Sequence, residues 1–296
     1  MVNSAAATVP HPDGLIDVSA LRALLGTPGL CLIDCRHDLA RPALGREQYA
    51  QGHLPGAVFA HLDEDLSGPK DGSNGRHPLP DPAALVARLR SWGVDSSSQV
   101  VAYDASEGSF AARAWWLLRW LGHAKVSVLD TGWPGWLAAG APTSVDVPAP
   151  RSGDFSVRPS LARVAAVEDV LAQTVAAQSP ALLLDARAPD RYEGRNETID
   201  PVAGHIPGAV NRCWKRNLED DGRFKPAATL RAEYEALLQG RAPAQVTVQC
   251  GSGVTACHDL LALHLAGLDG AALFPGSWSQ WVADPARPVA VGAAPR

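Results

Sequence analysis

At 296 residues and 46% hydrophobic content, the chain is long enough for two ordinary domains with full cores and too apolar for a disordered tract. A formal net charge of −5 supplies no global basic field for nucleic acid or an anionic membrane. Its cysteines (Cys31, Cys35, Cys213, Cys250 and Cys257) are odd in number and irregularly spaced, which argues against a secreted disulfide framework and against paired Cys-x-x-Cys zinc knuckles.

Residues 1–12 lack a basic stretch followed by an apolar core, so no secretory leader is expected. The most apolar run, 114–121, is short and interrupted by Arg119, so no stretch of this kind can span a bilayer. These features lead us to expect a soluble, cytoplasmic protein. Strands are predicted near 30–33, 100–103 and 126–129, with helices at 82–92 and 109–121. Asp81 and Pro82 form the start signal of the first of these helices, one as N-cap and one at the first helical position. Residues 141–163 hold Pro142, Pro148, Pro150 and Pro159 with few large apolar side chains, and read as a linker. Beyond it, strands are predicted near 181–184, 246–249 and 271–274, and helices near 166–177, 229–239 and 254–266.

The second set of elements repeats the first. Leu32-Ile33-Asp34-Cys35-Arg36 returns as Leu183-Leu184-Asp185-Ala186-Arg187, and Gly52-His53-Leu54-Pro55-Gly56-Ala57 as Gly204-His205-Ile206-Pro207-Gly208-Ala209. Tyr103-Asp104 matches Gln249-Cys250, and Gly132-Trp133 matches Ser277-Trp278. Order is kept with little drift in offset, which marks a duplicated domain. The expected fold is α/β: two tandem domains, each a parallel sheet with helices on both faces. The expected boundaries are 1–145, a linker at 146–163, and 164–296. In such sheets ligands bind beyond the carboxyl ends of the strands, where Asp104 and Cys250 fall.

Cys250-Gly251-Ser252-Gly253-Val254-Thr255-Ala256 lies between a β-rich run and an apolar helix. A cysteine at such a turn faces unpaired backbone amides and the positive end of a helix dipole. A free thiol titrates near about 8.5, and helix N-termini can lower that by several units. The pattern therefore predicts one activated sulfur nucleophile. The phosphatase alternative needs Cys-x5-Arg, and the sixth residue after Cys250 is Ala256, so that reading is poor.

Together these motifs resemble the rhodanese superfamily, in particular its tandem-domain sulfurtransferases. The loop is similar to that of the 3-mercaptopyruvate enzymes, whose thiosulfate-preferring relatives usually carry basic residues within it. The resemblance implies that Cys250 carries a persulfide, with the amides of Gly251, Ser252, Gly253, Val254 and Thr255 stabilising the anionic sulfur. It implies an inactive first copy, with Asp104 at the cysteine position. It implies a trio of Ser252 with His77 and Asp63, for which Asp65 is a rival, and substrate contact by Arg191. The second arginine expected nine positions after Arg191 is Asp200 here, and Arg195 is the candidate substitute. Arg36, Arg187, His53 and His205 recur in both copies and read as structural. The expected reaction takes sulfane sulfur from 3-mercaptopyruvate to a thiol, a thioredoxin-like protein or cyanide. The alternatives are thiosulfate as donor and, more remotely, a non-catalytic sulfur-carrier or binding module. Neither a cofactor nor a metal is implied, and a monomer is expected.

Overall fold

The computed structural model describes residues 14–175 and 181–294. The leader reading at 1–12 and the last positions of the helix predicted over 166–177 lie outside the described residues. The first half runs β1 (Leu15–Ile16), α1 (Val18–Leu24), β2 (Leu30–Asp34), α2 (Leu44–Gln51), β3 (Ala57–Phe59), α3 (Pro82–Ser91), β4 (Gln99–Tyr103), α4 (Ala111–Trp120), β5 (Val126–Leu129) and α5 (Gly132–Ala138). The second half runs β6 (Arg163–Val164), α6 (Val167–Val175), β7 (Leu182–Asp185), α7 (Pro189–Tyr192), β8 (Val210–Asn211), α8 (Ala227–Leu238), β9 (Val246–Gln249), α9 (Ala256–Leu265), β10 (Ala272–Leu273) and α10 (Ser277–Trp281).

Each half forms one five-stranded sheet, in the orders β1-β5-β4-β2-β3 and β6-β10-β9-β7-β8, and every pairing is parallel. The two orders are the same topology written twice. Parallel strands covered on both faces read as continuous apolar runs, and Val100, Val101, Ala102 and Tyr103 in β4 are all fully buried. The start signal at α3 works as predicted: the Asp81 carboxylate accepts the Ala84 N–H at 2.9 Å, and Pro82 opens the helix.

The repeated motifs build the same structure in both halves. Arg36 grips Asp34 through Nε and Nη2, donates to Gly52 O at 2.7 Å and lies over the Trp133 ring. Arg187 does likewise with Asp185, Gly204 O and Trp278. His53 stacks on Tyr49, and His205 on Tyr192, at 3.9 Å in both cases. These side chains shape strand ends and turns.

Residues 141–162 run across the first domain. Ser144 pairs with His53, Arg158 N–H donates to Leu121 O, and Phe155 is buried in the core. The largest apolar cluster spans both halves, joining Trp115, Leu117 and Leu118 of α4 to Leu260, Leu261 and Leu263 of α9. Helices α4 and α9 each follow the strand that ends at Asp104 or Cys250, so their contact places the two strand ends at one interface.

Candidate active site

Cys250 leaves the end of β9 and is buried. The helix predicted over 254–266 begins at Ala256 instead. Its first turn closes through Cys257 N–H to Val254 O and His258 N–H to Thr255 O, which leaves 250–255 as loop. Of the predicted amide cradle, the Gly253 N–H donates to Cys250 Sγ at 3.1 Å. The amides of Gly251, Ser252, Val254 and Thr255 have no hydrogen-bond partner among the described residues. Gly253 has φ of 75°, and a Cβ there would lie 2.3 Å from Pro275 O. Only glycine fits that turn.

The first copy shows what this kind of loop holds. Asp104 takes the cysteine position, and its carboxylate accepts four amides at 2.8–2.9 Å, from Ser106, Gly108, Phe110 and Ala111. Burial pushes its carboxyl up, and those four donors pull it back. One copy thus fills the amide cradle with a carboxylate. The other leaves a sulfur and several free amides.

Ser252, His77 and Asp63 come together across the domain interface. Ser252 Oγ lies 2.8 Å from His77 Nδ1, and His77 Nε2 lies 3.5 Å from Asp63 Oδ1. Burial pushes His77 down to about 3, against the upward pull of Asp63. A neutral ring carries one proton. Placing it on Nε2, toward Asp63, leaves Nδ1 to accept from the Ser252 hydroxyl. Asp63 also receives Lys70 Nζ at 3.1 Å. The rival Asp65 points elsewhere: it accepts the His61 N–H at 2.8 Å and pairs with Arg88 at 2.8 Å.

Arg191 sits at the loop. Both its Nη atoms lie 3.5 Å from where a Cβ on Gly251 would stand. Its Nε and Nη2 grip Glu197, and Nη2 also reaches Asp200 at 3.2 Å. Arg195 does not take the second guanidinium position at the loop. It is largely exposed and pairs with Glu193 at 2.5 Å, because the turn after α7 directs it to solvent. Instead Arg76 of the first domain reaches over Gly251 and pairs with Asp200. The loop's own side chains are neutral, as the sequence reads, yet a cation stands above it.

Sequence reasoning missed three residues here. Arg113, fully buried on α4, donates to Gly253 O and His77 O at 3.1 Å, and to Leu66 O and Pro78 O at 3.4 Å. Burial pulls its guanidinium below the ordinary range, and the sulfurs of Cys257 and Cys250 pull it back. Ser277 is buried at φ of 52°, and its Oγ accepts the Cys250 N–H at 3.1 Å. The same place in the first copy is Gly132, also at 52°. A non-glycine residue held in that region costs about 1–3 kcal/mol, and this one fixes the backbone of the cysteine. Arg76 is the third. The only available signal was its place beside His77.

Other candidates are structural. Burial pushes the Cys257 thiol up to about 12. His258 stacks on Phe224 at 4.4 Å, and Asn217 donates to Asp259 at 2.6 Å.

Fold and site define a tandem α/β protein with one loop cysteine at its domain interface. The chain belongs to the rhodanese family: the sequence profile of the rhodanese-like domain matches residues 17–139 and 168–284. A Pseudomonas aeruginosa protein named as a probable 3-mercaptopyruvate sulfurtransferase is 48% identical over 280 residues, covering 94% of this chain and 98% of its own. A Mycobacterium tuberculosis protein, SseB, provisionally named a thiosulfate sulfurtransferase, is 41% identical over 95% of this chain and 98% of its own. The crystal structure of SseA from Escherichia coli, described among 3-mercaptopyruvate sulfotransferases, superposes with a TM-score of 0.76 at 30% identity. It covers 90% of this chain and 98% of that one. The chain is a sulfurtransferase of this family. Among the described residues no helix is long and apolar enough to cross a membrane.

Proposed function

We propose that the protein takes sulfane sulfur from 3-mercaptopyruvate, holds it as a persulfide on Cys250, and passes it to a thiol acceptor, with cyanide able to serve in assay. The Cys250 sulfur attacks the donor's sulfur. A sulfur–sulfur bond forms, the carbon–sulfur bond breaks, and its electron pair leaves as pyruvate enolate. The enolate then takes a proton at carbon. The Gly253 amide on the sulfur and the unpartnered amides of Ser252, Val254 and Thr255 stabilise the negative charge of the persulfide, as an oxyanion hole does for oxygen. With the donor bound, the Ser252 hydroxyl turns its single proton from His77 to the substrate and polarises the carbonyl whose oxygen becomes the enolate.

The observation that carries this reading is the 2.8 Å contact between Ser252 and His77 beside the cysteine. A thiosulfate donor has no carbonyl and gives that pair nothing to polarise. Arg76 above the loop favours the second reading, thiosulfate as donor, because it returns a cation to a loop that lacks one. Thioredoxin-like proteins fit the acceptor role through their own reactive thiols. The test is to compare kcat/KM for the two donors and to weigh the enzyme after donor treatment. A gain of one sulfur atom, absent in Cys250→Ser, is expected. Thiosulfate ahead by about tenfold would transfer the assignment to that donor. No sulfur gain with either donor would leave a binding module.

A further inference from the structure

Three side chains with metal-ligand chemistry meet just past the ends of β2 and β3 in the first domain. His37 follows β2, His61 follows β3, and Asp63 stands a little further along the same loop. Strands β2 and β3 pair in parallel with Asp34 opposite Phe59, and that register carries both histidines out of the sheet side by side. One ring nitrogen of each histidine and one carboxylate oxygen of Asp63 lie within 4.8 Å of one another. The two imidazoles meet edge to face, with ring centroids 5.3 Å apart.

The hydrogen bonds leave lone pairs where an ion needs them. His61 Nε2 faces Pro42 O at 3.1 Å, and a carbonyl can only accept, so Nε2 carries the proton. Nδ1 therefore keeps its lone pair, which takes the Asp63 N–H at 3.2 Å, a long bond that an ion can replace. A histidine whose second nitrogen donates to a backbone carbonyl has its tautomer and ring orientation fixed as metal ligands do. His37 is buried, and its Nδ1 has no hydrogen-bond partner among the described residues. A buried ring nitrogen left unpaired calls for a missing partner. The Asp63 side chain is partly exposed, which gives an ion its way in, and Lys70 Nζ stands at 3.1 Å from its Oδ1. Glu64 Oε1 lies 4.0 Å from His61 Nδ1.

We propose that His37, His61 and Asp63 form a binding site for a divalent first-row transition ion of the zinc type, and that the bound ion inhibits the enzyme by taking Asp63 from His77. Two imidazoles and a carboxylate suit zinc, whereas calcium and magnesium take oxygen ligands. Bonds of about 2.0–2.2 Å to a tetrahedral centre set neighbouring ligands about 3.3–3.5 Å apart, so the site closes by up to about 1.5 Å, within reach of side-chain rotation at Asp63. Lys70 yields its place to the ion, and Glu64 or water completes the fourth position. Asp63 Oδ1 is also the atom that faces His77 Nε2, at 3.5 Å. Bound to a cation, that carboxylate no longer holds the His77 Nε2–H, and the ring loses the orientation that presents Nδ1 to Ser252. The site stands on its own geometry, while its inhibitory effect rests on the trio of the mercaptopyruvate reading.

The test titrates the full chain, stripped with a chelator and alkylated with iodoacetamide, with Zn2+ by calorimetry and with Co2+ by visible absorption. Alkylation removes the Cys250 thiol, which would otherwise capture the ion. One ion per chain is expected, and Co2+ should give d–d bands with no thiolate charge-transfer band. His37→Gln and His61→Gln should each raise the Kd for Zn2+ at least about 100-fold, more than the loss of a merely supporting residue does. Ca2+ and Mg2+ should not compete. In the unalkylated enzyme, Zn2+ should slow 3-mercaptopyruvate turnover relative to each protein's own metal-free rate, and either histidine variant should need about tenfold more Zn2+ for the same inhibition. Thiosulfate turnover should be inhibited less, because that donor does not use the trio. Histidine-dependent binding in an enzyme that prefers thiosulfate would support the metal site while overturning the mercaptopyruvate reading. Equal Zn2+ affinity in wild type and both variants, a cobalt–thiolate band, or inhibition that ignores both histidines would place the ion elsewhere and overturn the proposal.

Discussion

In the proposed mechanism, His77 and Ser252 set the chemistry at the scale of single side chains. Burial holds His77 neutral, down to about 3, so its ring accepts from Ser252 throughout the neutral range. A histidine of ordinary pKa would switch off its acceptor near pH 6.5. Mercaptopyruvate turnover should therefore show no inflection near 6–7 that disappears in His77→Gln, as a kcat/KM profile from pH 5 to 9 would reveal. Ser252→Ala removes the hydroxyl and leaves the cysteine loop otherwise intact. It should lower kcat/KM for 3-mercaptopyruvate by about 10²-fold, in the range of a lost general acid, while thiosulfate turnover changes by less than about threefold. Equal losses with both donors would mean that the serine serves the loop rather than the carbonyl. Cys250 was legible from its own strand-to-helix loop, and Ser252, His77 and Asp63 through the family resemblance, with Asp65 left as a rival. Arg76 and Arg113 were not. Arg76 meets Asp200 across 124 positions and Arg113 meets Gly253 across 140, and no local pattern announces a contact made only when two domains dock.

The decisive element is the strand-to-helix loop, present in both copies with different contents. In the first, Asp104 fills it and satisfies four amides. Removing a buried acceptor strands its donors, at about 1–3 kcal/mol for an unsatisfied buried group. Asp104→Ala should lower the denaturant midpoint accordingly. Asp104→Asn should recover little, since its amide nitrogen would face two N–H donors. If Asp104→Ala unfolds with the midpoint of the wild type, the loop tolerates empty amides. The free amides beside Cys250 would then lose their meaning as an anion site. The duplicated pattern made the strands and principal helices legible. It missed short edge elements such as β3 and β8, whose two or three residues carry no periodicity to read. The residues at 141–162 read as a linker because prolines break every pattern there, yet Phe155 anchors them in the first domain's core.

At the scale of the whole molecule, the site exists only because two domains dock through buried polar groups. His258 of the second domain reaches Glu107 O of the first at 3.2 Å, and burial pushes it down to about 3. Its ordinary value is near 6.5. Between those values the unfolded chain binds a proton at this position that the native chain does not. The linkage relation then makes the stability this residue contributes rise with pH across that window and fall as acid is added. Asp259 next to it works the opposite way: burial pushes it up to about 7, so the native chain holds the extra proton and loses stability as pH rises from about 4 toward 7. A comparison of variants separates the two. His258→Gln should cost stability at pH 7.5, where the neutral imidazole stacks on Phe224 and bonds Glu107 O. That cost should shrink steadily as pH is lowered from 6.5 to 4, because only the wild type then resists protonation at this position. Melting temperatures of both proteins across that range would check it. A gap that stays constant with pH would mean that His258 titrates alike folded and unfolded, and that the docked interface does not exclude water as tightly as its packing implies.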